Sequence, residues 1–457
     1  MPHRLEPIAI VAAILYLFVL GLAMVYLSYD VWGGLVVAPL VVVVTLPVIR
    51  SLFSGEYSDL FAVAVLGLMA KLGGSVVRYW VVFSSYAGWG DSNDYSLHGS
   101  QLAEAVRSGR ASPGELIPRH VGTDFIDHLT GIFYTVFGSS RLGGFFLFAW
   151  LGYWGAVLFV RAALVAVPGL AAKRYAALVF LMPSMLYWPS SIGKEAWLLF
   201  CLGLASYGIA LILSGQWTWW STFITVLGTA GGALARPHFS AVWLAALVFA
   251  LIIGLITGGV GGGLKTRFAS GALTLICILG LSFVASLTLS FLNPETQDSI
   301  GAPISNRIDE IFQDATSRTA TGRSTFTTVT ITGPQDWPEA VARTMTRPLL
   351  NEARSLAELM PAIEMTFLLV CAAFSWQRIA NVPRLLSKSS YVLFALVVLF
   401  LFGLAFSRIG NLGILTRQRS LVMPLFFLTF CVPRLPDAHS QRPPAMTNRP
   451  FAGQSHP

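Results

Sequence analysis

Residues Tyr187–Phe200 read YWPSSIGKEAWLLF, and the reading of this stretch decides how the chain folds. From Leu178 to Leu213 the only formal charges are Lys194 and Glu195. In the middle of a bilayer each would cost roughly 2.5–3.5 kcal/mol even on the mildest scale. A single helix from Tyr175 to Leu213 would be about 60 Å long at 1.5 Å per residue, nearly twice the bilayer core. The segment therefore folds back. Pro189, the Ser190–Ser191 pair and Gly193 are the chain-breakers at its middle, which puts Lys194 and Glu195 at the turn of a helical hairpin. Two readings of that turn compete. One is an interfacial turn with a snorkelling lysine; the other is the polar floor of a cavity shaped by Pro183 and Trp188. What gathers on the same side favours the second.

Outward from this hairpin the chain stays apolar. Of 457 residues, 55% are hydrophobic and only 11% charged, against about 25% charged in an ordinary soluble domain, and the mean hydropathy is +0.68. This is the composition of a polytopic membrane protein. The net charge of +8 then reads as topological information and not as a nucleic-acid footprint. Cys201, Cys277, Cys371 and Cys431 lie in or beside apolar runs and read as small buried hydrophobes. The run 7–29 is too long for the core of a signal peptide and lacks a cleavage site, so it is taken as the first membrane helix.

A bilayer core needs about 20 apolar residues per helix. On that ruler the expected fold is an all-α, polytopic transmembrane bundle of about 12 spans, near 7–28, 31–49, 58–83, 142–166, 175–191, 195–213, 217–235, 239–259, 268–292, 359–376, 389–408 and 415–433. Residues 1–433 form the transmembrane domain, and the Pro-rich tail 434–457 is expected to be disordered and cytoplasmic. With Arg4 inside, the inside loops carry Arg50, then Lys173 and Arg174, then Lys265 and Arg267, then Arg378, Arg384 and Lys388, and finally Arg434. Only Ser214-Gly215-Gln216 lacks a basic residue, so the ladder obeys the positive-inside rule. Both termini are then cytoplasmic, and the two long loops, about 84–141 and 293–358, are extracytoplasmic. The expected location is the cytoplasmic (inner) membrane. In the second loop, ATSRTATGRSTFTTVTIT (315–332) reads as mobile, whereas the stretch from Asp336 has the cap, early proline and apolar spacing of an amphipathic, interfacial helix that ends at Arg347-Pro348.

Polar residues concentrate on that outer side. The first loop begins GWGDSNDY (88–95), with Asp91 and Asp94 three apart. Helical periodicity begins near Tyr95, making Asp94 the expected N-cap, with Asp91 one turn earlier near the membrane plane. Isolated aspartates often only cap and turn, but a carboxylate directly after a span can act on a membrane-held substrate. ARPHFS (235–240) contributes Arg236 and His238. FSRIGNLGILTRQRSLVMP (406–424) contributes Arg408, Asn411, Arg417 and Arg419. Arginines on the outer side run against the orientation bias, and arginine is suited to forked recognition of phosphate. In a helix Arg417 and Arg419 would lie about 200° apart, so the last span is expected to open after them, at Ser420 or Leu421. Lys71, near the centre of the third span with Arg78 two turns above it, is a functional or helix-packing candidate.

GDSNDY resembles the acidic motif of GT-C membrane glycosyltransferases, although its spacing is D-x-x-D and not an adjacent pair. LMPSMLYWPSSIGKEA, RPH, RPLLNEARSLAELMPAIE and GNLGILTRQRSLVMP resemble, in order, segments of bacterial multi-span proteins placed near O-antigen polymerases. The resemblance implies a membrane glycosyltransferase or polysaccharide polymerase that takes a polyprenyl-(di)phosphate-linked sugar donor and a glycan acceptor at the outer face. It implies Asp91 or Asp94 as the base and the late arginines as the phosphate grip; the grouping of polar residues on the outer side itself adds Lys194 and Glu195 as cavity lining and Arg236, His238, Arg408 and Asn411 to the substrate-binding set. The alternative is a transporter or flippase for lipid-linked glycans, which a charged mid-span Lys71 would suit. No cofactor follows from the sequence. An aspartate pair can hold a divalent ion, but two ligands are too few to assign one.

Overall fold

The structure, a computed structural model, describes residues 5–257, 264–292, 331–353 and 355–434, and every regular element among them is helical. Most of the Ser/Thr-rich stretch and the tail beyond Arg434 lie outside the described residues. In order the helices are α1 (Leu5–Tyr26), α2 (Tyr29–Leu52), α3 (Leu60–Trp80), α4 (Asp91–Arg107), α5 (Thr123–Phe137), α6 (Arg141–Ala166), α7 (Ala172–Leu181), α8 (Pro183–Tyr187), α9 (Lys194–Leu213), α10 (Trp219–Ala235), α11 (Pro237–Thr257) and α12 (Leu264–Leu292). After the second long loop come α13 (Trp337–Thr346), α14 (Leu356–Phe374), the short α15 (Trp376–Ile379) and α16 (Val382–Leu385), then α17 (Ser390–Ala405), α18 (Leu412–Arg419) and α19 (Met423–Cys431).

By length and composition six helical stretches among the described residues can cross a membrane: Tyr29–Leu52, Leu60–Ser85, Arg141–Ala166, Lys194–Leu213, Pro237–Thr257 and Ser270–Phe291. A seventh, Glu358–Phe374 with Trp376–Leu385, is bent by 73° at its break. The helical bundle is as expected; these helices, with the shorter apolar Ala13–Tyr26 and Ser390–Ala405, do not by themselves establish 12 spans. Several expected windows are split or short. The window 175–191 is divided because Pro183 has no amide to continue α7 and Met182 is extended (ψ 136°). The window 415–433 holds the end of α18 and the nine residues of α19.

Within the bundle, α6 and α9 are the inner helices, with 78% and 67% of their apolar windows buried, whereas α2 and the apolar stretch of α12 are each only 22% buried and lie at the periphery. Small residues let the inner helices touch: Gly155 of α6 meets the backbone of Leu199 and Gly203 of α9, and Gly228 of α10 meets Ala205. Such contacts are the usual route to tight helix association where no hydrophobic gradient operates. Indoles inside the bundle find partners, the half-buried Trp150 donating to Thr45 (2.8 Å) and the buried Trp243 to Ser206 (2.9 Å).

The broken backbone between α7 and α9 is satisfied by its neighbours, as it must be in an apolar setting. Lys71 of α3 donates to the Met185 carbonyl (2.5 Å) and Ser75 to the Ser190 carbonyl (2.9 Å). At the start of α8 the Glu364 carboxylate of α14 accepts from the Ser184 amide (2.7 Å) and hydroxyl (2.5 Å). The mid-span lysine is thus used to hold the fold of the break. The first long loop forms α4 and α5, which run parallel: Ser96 meets Tyr134 (2.7 Å), His98 meets Asp127 (3.4 Å) and Arg107 donates to Ser139 (2.9 Å). Helix α13 is amphipathic, and it lies on the bundle against α17. Its Val341 fills the space left by Gly403, and Trp337 packs on Phe400.

Candidate functional site

Four charges from distant parts of the chain meet at the turn before α9. The Glu195 side chain is 4% exposed. Its Oε1 lies 2.6 Å from Arg417 Nε and 3.0 Å from Arg236 Nη2, and its Oε2 accepts from Arg417 Nη2 at 2.8 Å. The same guanidinium reaches outward, with Nη1 and Nη2 each 3.1 Å from Asp91 Oδ2. Arg236 also donates to Gln418 Oε1 (2.5 Å). The result is a line of alternating charge: Asp91, Arg417, Glu195, Arg236.

Helix ends explain why the charges fall here. Asp91 and Asp94 stand in the first turn of α4 and Glu195 in the first turn of α9, where the helix dipole favours carboxylates. Arg417 stands in the last turn of α18, and Arg236 caps α10, its amide bonding the Gly232 carbonyl; both are ends that favour cations. The start of α5 joins them. Gly122, with φ of 96°, donates its amide to the Leu234 carbonyl (2.7 Å), and Lys194 donates to Thr123 (3.1 Å). A buried carboxylate is tolerated only when paired and hydrogen-bonded, and Glu195 has two arginines. Tyr95 is buried beside the cluster, and burial with the nearby Asp91 and Glu195 carboxylates pushes its phenol up to about 12.

Beside Asp91 opens a cavity of about 210 Å³ lined by Arg78, Tyr86, Trp89, Asp91 and Arg417. Its rim is built by unusual backbone. The end of the third span widens into a π-helical turn, Val81–Ser85, a feature frequent at functional sites. Ala87 (φ 49°), Gly88 and Gly90 then follow with positive φ. This turn leaves Trp89 84% exposed at the mouth. Arg78 donates to Tyr187 Oη (2.7 Å) and lies over the rings of Tyr187 and Trp188, so the broken segment that carries Glu195 also fixes an arginine of the cavity.

The sequence candidates separate clearly. Asp91, Lys194, Glu195, Arg236 and Arg417 come together. Asp94 is exposed and has no hydrogen-bond or ion-pair partner among the described residues. It is not the N-cap expected of it, because the helix begins at Asp91 after Gly90. His238 packs among Phe239, Phe291 and Phe406 beside the cluster. Asn411 caps α18, accepting from the Gly413 (2.9 Å) and Ile414 (3.2 Å) amides, and Arg408 reaches the Ile331 carbonyl. Arg419 is buried away from the cluster and donates to the carbonyls of Met345 (3.2 Å) and Arg347, closing the end of α13. The expected helix start at Ser420 or Leu421 is therefore corrected: α18 runs through Arg419 and the chain breaks after it, before α19 starts at Met423. The two arginines share a helix and point apart. Sequence reasoning passed over Gln418, Tyr95, Thr123 and Trp89. Gln418, Tyr95 and Trp89 lie inside the quoted motifs, and nothing local marked Thr123.

Among the described residues no three His, Cys, Asp or Glu side chains gather closely enough to hold a metal ion. No protein-family model matches the chain, and neither the curated proteins nor the solved structures contain a significant match.

Proposed function

We propose that the chain is a membrane glycosyltransferase or polysaccharide polymerase that uses a polyprenyl-(di)phosphate-linked sugar at the outer face of the cytoplasmic membrane. The observation that carries this reading is the forked arginine, Arg417, shared between an exposed and a buried carboxylate. Its pair with Asp91, which is 57% exposed, is the weak one, since exposed pairs are worth about 0–1 kcal/mol. The pair with Glu195 is buried and persistent. An incoming phosphate takes the Asp91 side of the guanidinium while Glu195 keeps the fork aimed.

Asp91, released from Arg417, then removes the proton from an acceptor hydroxyl. The hydroxyl oxygen attacks the anomeric carbon, the bond from that carbon to the phosphate oxygen breaks, and the leaving phosphate carries its added charge to Arg417, with Arg78 and Lys194 nearby. Preorganised cations aimed at developing charge are among the largest contributors to catalysis. Asp94, free and one turn along, is the other candidate base. Transport, the competing reading, drew on Lys71, and that residue is engaged with the Met185 carbonyl.

The test compares Asp91→Asn and Asp94→Asn with the unaltered protein for transfer from polyprenyl-diphosphate-linked sugar, at equal amounts in membranes. Loss of a general base should lower the rate about 10²–10⁴-fold in one of them. Unchanged transfer in both would remove the assigned base and the reading with it.

A further inference from the structure

The small cavity beside Asp91 is lined by two guanidiniums, Arg78 and Arg417, from the last turns of different helices. Their places in the charge balance differ. Asp91, Arg417, Glu195 and Arg236 form a line in which two carboxylates offset two guanidiniums. Arg78 stands outside that line, and no carboxylate pairs with it among the described residues. Its partners are aromatic. Nη1 donates to Tyr187 Oη (2.7 Å), and the guanidinium carbon lies 4.6 Å from the centre of the Tyr187 ring and 5.2 Å from that of Trp188. Rings at such distances hold a cation in place without neutralising it. A guanidinium has five N–H donors, and the Tyr187 bond is the one hydrogen bond this side chain makes among the described residues. Its Nε is buried without an acceptor, and a buried donor left unpaired in a native fold asks for an explanation.

The cavity therefore holds an uncancelled positive charge that is already in place, whereas Arg417 becomes available only when Asp91 leaves it. A volume of about 210 Å³ is below the roughly 300–1,000 Å³ of sites that enclose whole small molecules. The space admits a compact anionic headgroup and leaves the rest of the ligand outside. Forked guanidiniums from two helices suit two linked phosphates. Charge counting points the same way: one phosphate replaces Asp91 on Arg417, and a second offsets Arg78. Position assigns the two. The phosphate bonded to the sugar stands beside Asp91, the base, and so meets Arg417; the next phosphate falls to Arg78.

We infer that Arg78 is a specificity-determining residue that grips a second phosphate, so that the cavity takes a diphosphate in preference to a monophosphate. That the diphosphate joins a lipid to a sugar rests on the transferase reading; the preference itself does not. A lipid headgroup and a free pyrophosphate share this chemistry.

The test measures binding by the full chain in nanodiscs, with farnesyl diphosphate, farnesyl monophosphate and inorganic pyrophosphate as probes. The unaltered protein should bind farnesyl diphosphate roughly tenfold or more tightly than the monophosphate, the scale of hydrogen bonds to a charged group. Arg78→Gln should remove that preference by weakening the diphosphate alone. Arg78→Lys, which keeps the charge and loses the fork, should lower the ratio severalfold and guards against misfolding of the glutamine variant. An Arg78 that only braced Tyr187 and Trp188 would lower both affinities together and leave their ratio unchanged. That result would overturn the inference, as would equal affinity for the two farnesyl ligands in the unaltered protein. Tighter binding of farnesyl diphosphate than of pyrophosphate identifies a lipid source. Equal binding of those two identifies a soluble diphosphate, which sustains the Arg78 assignment and contradicts the lipid-linked donor. Diphosphate preference in a protein that transfers no sugar would likewise overturn only the transferase reading, and transfer without any such preference would overturn only the inference.

Discussion

Glu195 is the residue on which the candidate site depends, and its neighbours make two outcomes distinct. Glu195→Gln leaves Arg236 and Arg417 facing each other without the buried carboxylate between them. Removing one partner of a buried ionic group costs about 3–5 kcal/mol, so the variant should unfold at clearly lower temperature in detergent, and an unchanged Tm would mean the charges are hydrated and independent. Asp91→Asn removes only the exposed end of the line and should leave the Tm nearly unchanged. Much of this site was legible as isolated residues. Lys194 and Glu195 stand out as the only charges in an apolar stretch, and Asp91, Arg236 and Arg417 as polar residues next to spans. Their partnership was not legible, because Asp91 and Arg417 are 326 positions apart and no local pattern says which arginine meets which carboxylate. Arg417 and Arg419 show the point most sharply. Two residues apart in sequence, one enters the charge cluster and the other closes α13, and only the helical continuation of α18 decides this.

At the scale of elements, the turn between α7 and α9 was readable from Pro189, Ser190, Ser191 and Gly193, and Pro183 already breaks the helix earlier. What the sequence did not disclose is that the intervening backbone is supported by α3 and α14. This support can be measured. Glu364→Ala loses both bonds to Ser184, and bonds to charged groups contribute about 1.5–3 kcal/mol each. It should lower the Tm and raise amide exchange in α8, with α10 unaffected; protection in α8 equal to that of the unaltered protein would show that Glu364 does not hold the break. A second element prediction concerns α13. Arg419→Ala removes the donor to its terminal carbonyls, so α13 should exchange faster and become protease-sensitive while α17 stays protected. Unaltered exchange in α13 would assign its anchoring to Val341 and Trp337 alone.

At the scale of the whole molecule, apolar composition was sufficient for an all-helical bundle, but counting apolar windows did not establish the number of spans. A window of about 20 apolar residues registers hydropathy and cannot tell one straight helix from two short ones, as at 175–191 and 415–433. Sidedness, argued from the ladder of basic loops, remains a proposal with a direct check. Ser112, Ser54 and Ser387 are exposed. Cysteine at position 112 should react with a membrane-impermeant reagent from outside intact cells, and cysteine at 54 or 387 only after the membrane is opened. Labelling of 112 and 54 from the same side would break the topology.

The central claim is that Arg417, aimed by Glu195 and released by Asp91, grips a lipid-linked phosphate. The most direct measurement is the affinity of purified protein in nanodiscs for a polyprenyl-phosphate analogue, with Arg417→Lys and Arg419→Lys compared separately. Lysine keeps the charge and loses the fork. The account predicts at least a tenfold loss of affinity for Arg417→Lys and none for Arg419→Lys, whose guanidinium is engaged with the end of α13. Full affinity in Arg417→Lys, or an equal loss in both, would contradict it.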